Sequence, residues 1–167
     1  MNPFRSESAR VRKAQYSDID TIACAMREAD KQEIWDSHHV TPKEALVQSY
    51  RESVICLTIT LEGRPIGMFG VSPHTLVGYS GTVWLLGTEA ICHINKKLLR
   101  RSREFVKIML SYYPHLENFV SIKNESSVRW LKFCGAVFAE PVPYGVEGKL
   151  FMRFTFEREK TPCVFSR

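Results

Sequence analysis

The sequence predicts a single-domain α/β fold, a mixed β-sheet sandwiched by helices in the order β-α-α-β-β-β-α-β-α-β-β. Three observations predict it. The stretch from Thr82 to Val137 reads as strand, basic helix, strand, short helix and strand with almost no spare residues between them. Its first part, Thr82-Val-Trp-Leu-Leu-Gly-Thr-Glu-Ala90, is apolar on both parities, as expected of a strand buried on both faces. Behind it Ile94, Leu98, Phe105, Met109 and Tyr112 mark one stripe of a helix that runs from near Asn95 to Tyr113, before Pro114 stops it. That alternation of strands and helices suits two helical layers around one sheet.

Residues 1–8 read as an N-terminal arm, and Ala9 to Gln15 as a first strand. Ser17-Asp-Ile-Asp20 is a helix cap, and Ile19, Ile22, Ala23, Met26 and Ala29 form the apolar stripe that follows. Asp30 and Glu33 fall near the centre of that stripe if the helix continues. Carboxylates are rarely buried unpaired, so either the helix has emerged into solvent by Asp30, or the two open into a cleft that holds a cationic acceptor such as an amine. Thr41-Pro-Lys-Glu44 is a capping box with Pro at the first helical position, starting a helix that ends near Ser53. Val54 to Leu61 and Pro65 to Val71 are strands joined by a hairpin turn at Glu62-Gly-Arg64, and Ser72 to Gly81 is a loop. Past the central unit come Phe119 to Ile122, a short helix, Ala136 to Glu140 and Lys149 to Glu157, the last two joined through Pro141-Val-Pro-Tyr-Gly. The domain is expected to span residues 9–157, with 158–167 as a C-terminal tail.

A chain of 167 residues can bury a sizeable core, and its 44% apolar and 25% charged content is that of an ordinary globular protein. No apolar run approaches the roughly 20 residues of a membrane span. The first residues lack the apolar core of a signal peptide, and five scattered cysteines read as reduced thiols, so the expected location is the cytoplasm. The sequence shows no paired zinc-site spacing, no phosphate-binding Gly-Lys-Ser/Thr loop and no Gly-x-Ser-x-Gly elbow.

Charge is concentrated in the helix after the central strand. Lys96, Lys97, Arg100, Arg101, Arg103 and Lys107 against Glu104 give it +5, equal to the net charge of the whole chain. Cations in a first turn face the positive end of the helix dipole, and a bound anion would turn that repulsion into attraction. Strand, basic helix, strand and Asn124-Glu-Ser-Ser-Val-Arg-Trp-Leu-Lys-Phe-Cys-Gly135 together resemble the acetyl-CoA-binding half of a GCN5-related N-acetyltransferase (GNAT). More narrowly, Trp84-Leu-Leu-Gly-Thr88, Leu116-Glu-Asn118-Phe-Val, Arg129-Trp-Leu-Lys132 and Gly135-Ala-Val-Phe138 resemble a small tailed-phage family of GNAT-like internal virion and assembly proteins. The resemblance covers roughly residues 10–156 and implies a phage protein found in the host cytoplasm or the virion.

In that superfamily the fourth strand offers its backbone to the acetyl-pantetheine arm and the next helix receives the pyrophosphate. The resemblance therefore implies acetyl-CoA as cofactor, with Thr88, Lys96, Lys97, Arg100, Arg101 and Asn124 as binding candidates and an amine or a protein as acceptor. Glu89, at the end of the central strand, is the candidate base, with Asp30 and Glu33 as further catalytic candidates. Two departures stand against activity. The run Cys92-His-Ile-Asn-Lys-Lys-Leu-Leu-Arg-Arg101 has none of the glycines that close backbone N–H groups on a pyrophosphate, and Leu131 stands where many members place a proton-donating Tyr. Two readings follow, an acetyl-CoA-dependent N-acetyltransferase, or a catalytically silent protein that acts in virion assembly or binds a host protein. Nucleic acid is disfavoured as a partner because the aromatics of the basic helix lie on its apolar face, where they cannot stack on bases.

Overall fold

The computed structural model describes residues 9–75, 78–94 and 96–159. The expected arm, Asn95 at the expected start of the basic helix, Cys163 and most of the expected tail lie outside them. The strands are β1 (Ala9–Lys13), β2 (Ile55–Leu61), β3 (Arg64–Pro73), β4 (Ser80–Gly87), β5 (His115–Ser121), β6 (Val137–Phe138), β7 (Val142–Tyr144) and β8 (Lys149–Glu157). The helices are α1 (Asp18–Cys24), α2 (Glu28–His38), α3 (Pro42–Glu52), α4 (Lys96–Tyr112) and α5 (Glu125–Cys134), with a 3-10 turn at Glu89–His93.

One mixed sheet runs β1-β2-β3-β4-β5-β8-β6, with β7 also paired to β8. All its pairings are antiparallel except β4 with β5. Alternating side chains feed a core on each face. Met68 goes to the cluster of Ile19, Ile22, Met26, Ile34 and Leu46 beneath α1–α3. Its neighbour Phe69 goes to the cluster of Leu98, Val106, Met109, Leu116, Phe154 and Phe156 beneath α4 and α5. The Thr41 box forms as expected, with Thr41 Oγ1 accepting from Glu44 N at 3.3 Å and Glu44 Oε2 accepting from Thr41 N at 2.8 Å.

The main departure from the sequence reading lies in the first helix. The single stripe from Ile19 to Glu33 is two helices, because the chain leaves α1 at Ala25 and Met26 forms an antiparallel bridge to Thr88. Arg27 then donates its N–H to the Gly87 carbonyl at 2.9 Å, and α2 starts at Glu28. Backbone groups of β4 thus outcompete helix continuation. A second departure is β7, which occupies the segment expected to be a connection. The Glu62-Gly63 turn has both residues at positive φ, 50° and 82°, as a tight two-residue hairpin requires.

Candidate functional site at the strand split

β4 and β5 are in register only from Ser80 opposite His115 to Thr82 opposite Glu117. Beyond that the sheet splits, and the split is where a bound chain could meet backbone groups. A cavity of about 480 Å³ lies on the α4/α5 side, with Phe69, Leu85, Ile91, Leu98, Phe105 and Met109 among its walls. A second, of about 410 Å³, lies on the α2/α3 side and is lined in part by Glu33, Gln48, Glu52, His74 and Glu117. Val83, Trp84, Leu85, Ser127, Trp130, Leu131 and Phe154 line both, so they form the partition between them.

Unpaired backbone groups inside a fold must find partners, and here side chains supply them. Asn118, on β5, donates Nδ2–H to the Val83 carbonyl at 2.8 Å while its Oδ1 accepts from Phe119 N at 2.8 Å. At the far end of β4, Gly87 donates its N–H to Asp30 Oδ2 at 3.0 Å and accepts from Arg27 N. On β5, Ser121 N–H donates to Glu33 Oε1 at 2.5 Å. Since residues two apart point their backbone groups the same way, Leu85 carries the remaining split-facing groups of β4 between Val83 and Gly87.

A buried ion pair anchors this network. Arg27 and Asp30 are 5% and 2% exposed and meet side-on through one guanidinium edge, Nε–H donating to Asp30 Oδ2 at 3.1 Å and Nη2–H to Oδ1. The guanidinium also donates to Ser126 Oγ and Ser127 Oγ, each at 3.1 Å, and to Cys92 Sγ at 3.6 Å. It therefore ties the end of β4 to the first turn of α5. Asn124 caps α5 by accepting from Ser127 N at 3.4 Å and donates Nδ2–H to Glu33 Oε2 at 2.6 Å. Burial pushes the Glu33 carboxyl up to about 7, the hydrogen bonds from Ser121 and Asn124 oppose the rise, and the nearby Asp30 carboxylate adds to it.

The sequence candidates separate into two groups. Asp30, Glu33 and Asn124 come together: Asn124 donates to Glu33, Asp30 is paired with Arg27, and the two carboxylates also line the second cavity. The alternative that the chain has reached solvent by Asp30 does not hold, because Arg27 satisfies the carboxylate within the fold. Thr88 is buried, and both its N–H and its hydroxyl donate to the Ile66 carbonyl, at 2.8 and 3.1 Å. Glu89 opens the 3-10 turn and is exposed, as are Lys96, Arg100 and Arg101 on α4, while Lys97 occupies the second position of that helix. Arg101 pairs with Glu104 at 3.5 Å and lies over the Phe105 ring. Leu131 is 6% exposed, in the partition between the cavities. Sequence reasoning missed Arg27 and Asn118. The three-residue spacing of Arg27 and Asp30 and an Asn in mid-strand, where that residue is disfavoured, were the available signals.

The sheet with one split parallel pairing, two helical layers and a left-handed Gly135 closing α5 define a GNAT-like fold. Solved structures agree. Ard1 from Thermoplasma volcanium is 13% identical with a TM-score of 0.67, over 91% of this chain and 99% of that one. The ribosomal-protein-S5-alanine acetyltransferase from Vibrio fischeri is 17% identical with a TM-score of 0.64, over 94% and 97% of the two chains. The putative acetyltransferase yncA from Salmonella typhimurium, solved with its cofactor acetyl-CoA, is 14% identical with a TM-score of 0.62, over 95% and 99%.

In sequence the chain belongs to the family described as bacteriophage T7 probable scaffold protein Gp13, whose model matches residues 56–142. The probable scaffold protein gp13 of Escherichia phage T7 is 28% identical over 107 residues, 62% of this chain and 72% of that protein. The narrower resemblance holds in its coarser form, as a phage scaffold family. The matching phage family is described by scaffolding, with no acetyltransferase in its description.

Proposed function

We propose that the protein is a catalytically silent GNAT-fold component of phage particle assembly that acts through its surface. The observation that carries this reading is that, on either side of Leu85, split-facing backbone groups of Val83, Gly87 and Ser121 are partnered from within by Asn118, Arg27, Asp30 and Glu33. The scaffold description of its phage relative agrees with it.

The residues present do not fit acetyl-CoA in the way the superfamily resemblance implies. A pantetheine arm would meet the Leu85 groups between those of Val83 and Gly87, which already have partners. Asn124 and the Thr88 hydroxyl are likewise committed, and Leu131 has no proton to give. The amine-acetylating alternative keeps the exposed Glu89 as its base and the exposed Lys96, Arg100 and Arg101 as phosphate ligands.

Calorimetric titration with acetyl-CoA, dephospho-CoA and pantetheine separates the two. The silent reading expects no binding at millimolar ligand, together with normal particle yield from phage carrying Glu89→Gln. Micromolar binding that depends on the phosphates would overturn it.

A further inference from the structure

The second helical layer has an outer face with an uneven charge. Lys96, Arg100, Arg103 and Lys107 stand at intervals of four, three and four residues, so they form one line on the exposed side of α4. At 1.5 Å per residue that line is about 16 Å long. Arg103 joins it to α5, donating Nε–H to the Phe133 carbonyl at 2.8 Å with its guanidinium over the Phe133 ring. Beyond this seam Arg129 and Lys132 are exposed on α5. The acids on these two helices are Glu104, which pairs with Arg101 at 3.5 Å, and Glu125, which pairs with Arg129 at 3.6 Å. Of the cations on α1–α3, Lys31 pairs with Glu28 and Lys43 with Asp20.

We infer that this α4/α5 face binds the phosphate backbone of duplex nucleic acid, without reading its sequence. A protein partner normally needs buried aromatic or aliphatic anchors in the centre of its footprint. The apolar stripe of α4 is spent on the core, and the exposed apolar residues of this helix, Ile108 and Tyr112, lie toward its C-terminal end. A row of cations without an anchor suits a partner that is bound by neutralising phosphates. Single strands are held largely by stacking on aromatic side chains, which the cationic stretch does not present, so the duplex is the form that fits. The lack of aromatics along the cationic line, with Tyr112 exposed only beyond its end, argues against base stacking and leaves backbone contact standing. The inference is independent of whether the strand split admits a cofactor.

The test is fluorescence anisotropy of a short labelled DNA duplex of random sequence, titrated with the full chain at several salt concentrations. If the four in-line cations neutralise four phosphates, log K falls against log salt with a slope of about −3.6, a loss of about 150-fold between about 50 and about 200 mM. The variant Lys96→Ala/Arg100→Ala/Lys107→Ala, checked for folding by circular dichroism, is expected to reduce the slope to about −0.9. Lys31→Ala/Lys43→Ala on the opposite layer is expected to change nothing. No binding at low salt overturns the proposal, as does binding that survives the triple substitution. Equal displacement of the duplex by a poly-glutamate of the same charge would assign the face to an acidic protein segment and overturn it too.

Discussion

Asp30→Ala is the sharpest test of the account of the strand split. The substitution removes the partner of a guanidinium that is 5% exposed and leaves the Gly87 N–H without its acceptor. Breaking a buried ion pair from one side costs about 3–5 kcal/mol, because the other charge stays in a low-dielectric surrounding. The orphaned N–H would add about 1–3 kcal/mol, though the two losses share a site and do not simply sum. For a domain of this size each kcal/mol moves the midpoint by about 2–4 °C, so a fall of about 6–20 °C is expected. Thermal unfolding followed by circular dichroism, with urea melts to check the slope, measures it. Arg27→Met/Asp30→Leu leaves no charge stranded and should recover at least half the loss. If Asp30→Ala melts within about 2 °C of the parent, the pair is not the anchor described and the reasoning fails.

Two further outcomes are expected. The Glu33 carboxyl lies at about 7 in the fold against an ordinary 4.5, so between those values the folded state holds a proton that the unfolded state releases. Stability conferred at low pH is therefore lost as pH rises through that window, and Glu33→Gln should flatten the decline in urea midpoints across it. Gly145 has φ of +73°, and a Cβ there would fall 2.4 Å from Ser37 Cα and 2.7 Å from the Asp36 carbonyl oxygen. Gly145→Ala must therefore cost more than the about 1–2 kcal/mol of a left-handed alanine, the cost expected of Gly148→Ala, where the added carbon meets open space.

The sequence was most legible where local chemistry is self-contained. The Thr41 box, the Glu62-Gly63 hairpin, the stripe of α4 from Leu98 to Met109 and the two-faced strands are set by spacing within a few residues, and they appear as read, whereas Tyr112, expected on that stripe, is half exposed at the last turn. Legibility failed where a long-range backbone group made the decision. Nothing near Met26 says that Thr88 will pair with it, so the stripe from Ile19 reads through a break that β4 imposes. The carboxylates at Asp30 and Glu33 were conspicuous, yet their partners lie on β4, β5 and α5, at distances in sequence that periodicity does not sense. The basic line of α4 was visible in full. Its extension by Arg129 and Lys132 depends on the Arg103 contact with Phe133 and could not be read from spacing.

The side-chain rungs across the split bear on how the molecule behaves as a part in a larger object. A sheet whose diverging strands are held by Asn118, Arg27, Asp30 and Glu33 needs no small molecule to keep its two halves in place. In the proposed assembly role, that shape would not depend on a bound metabolite. The protein would then present the same outline to its neighbours whether its surroundings are rich or exhausted.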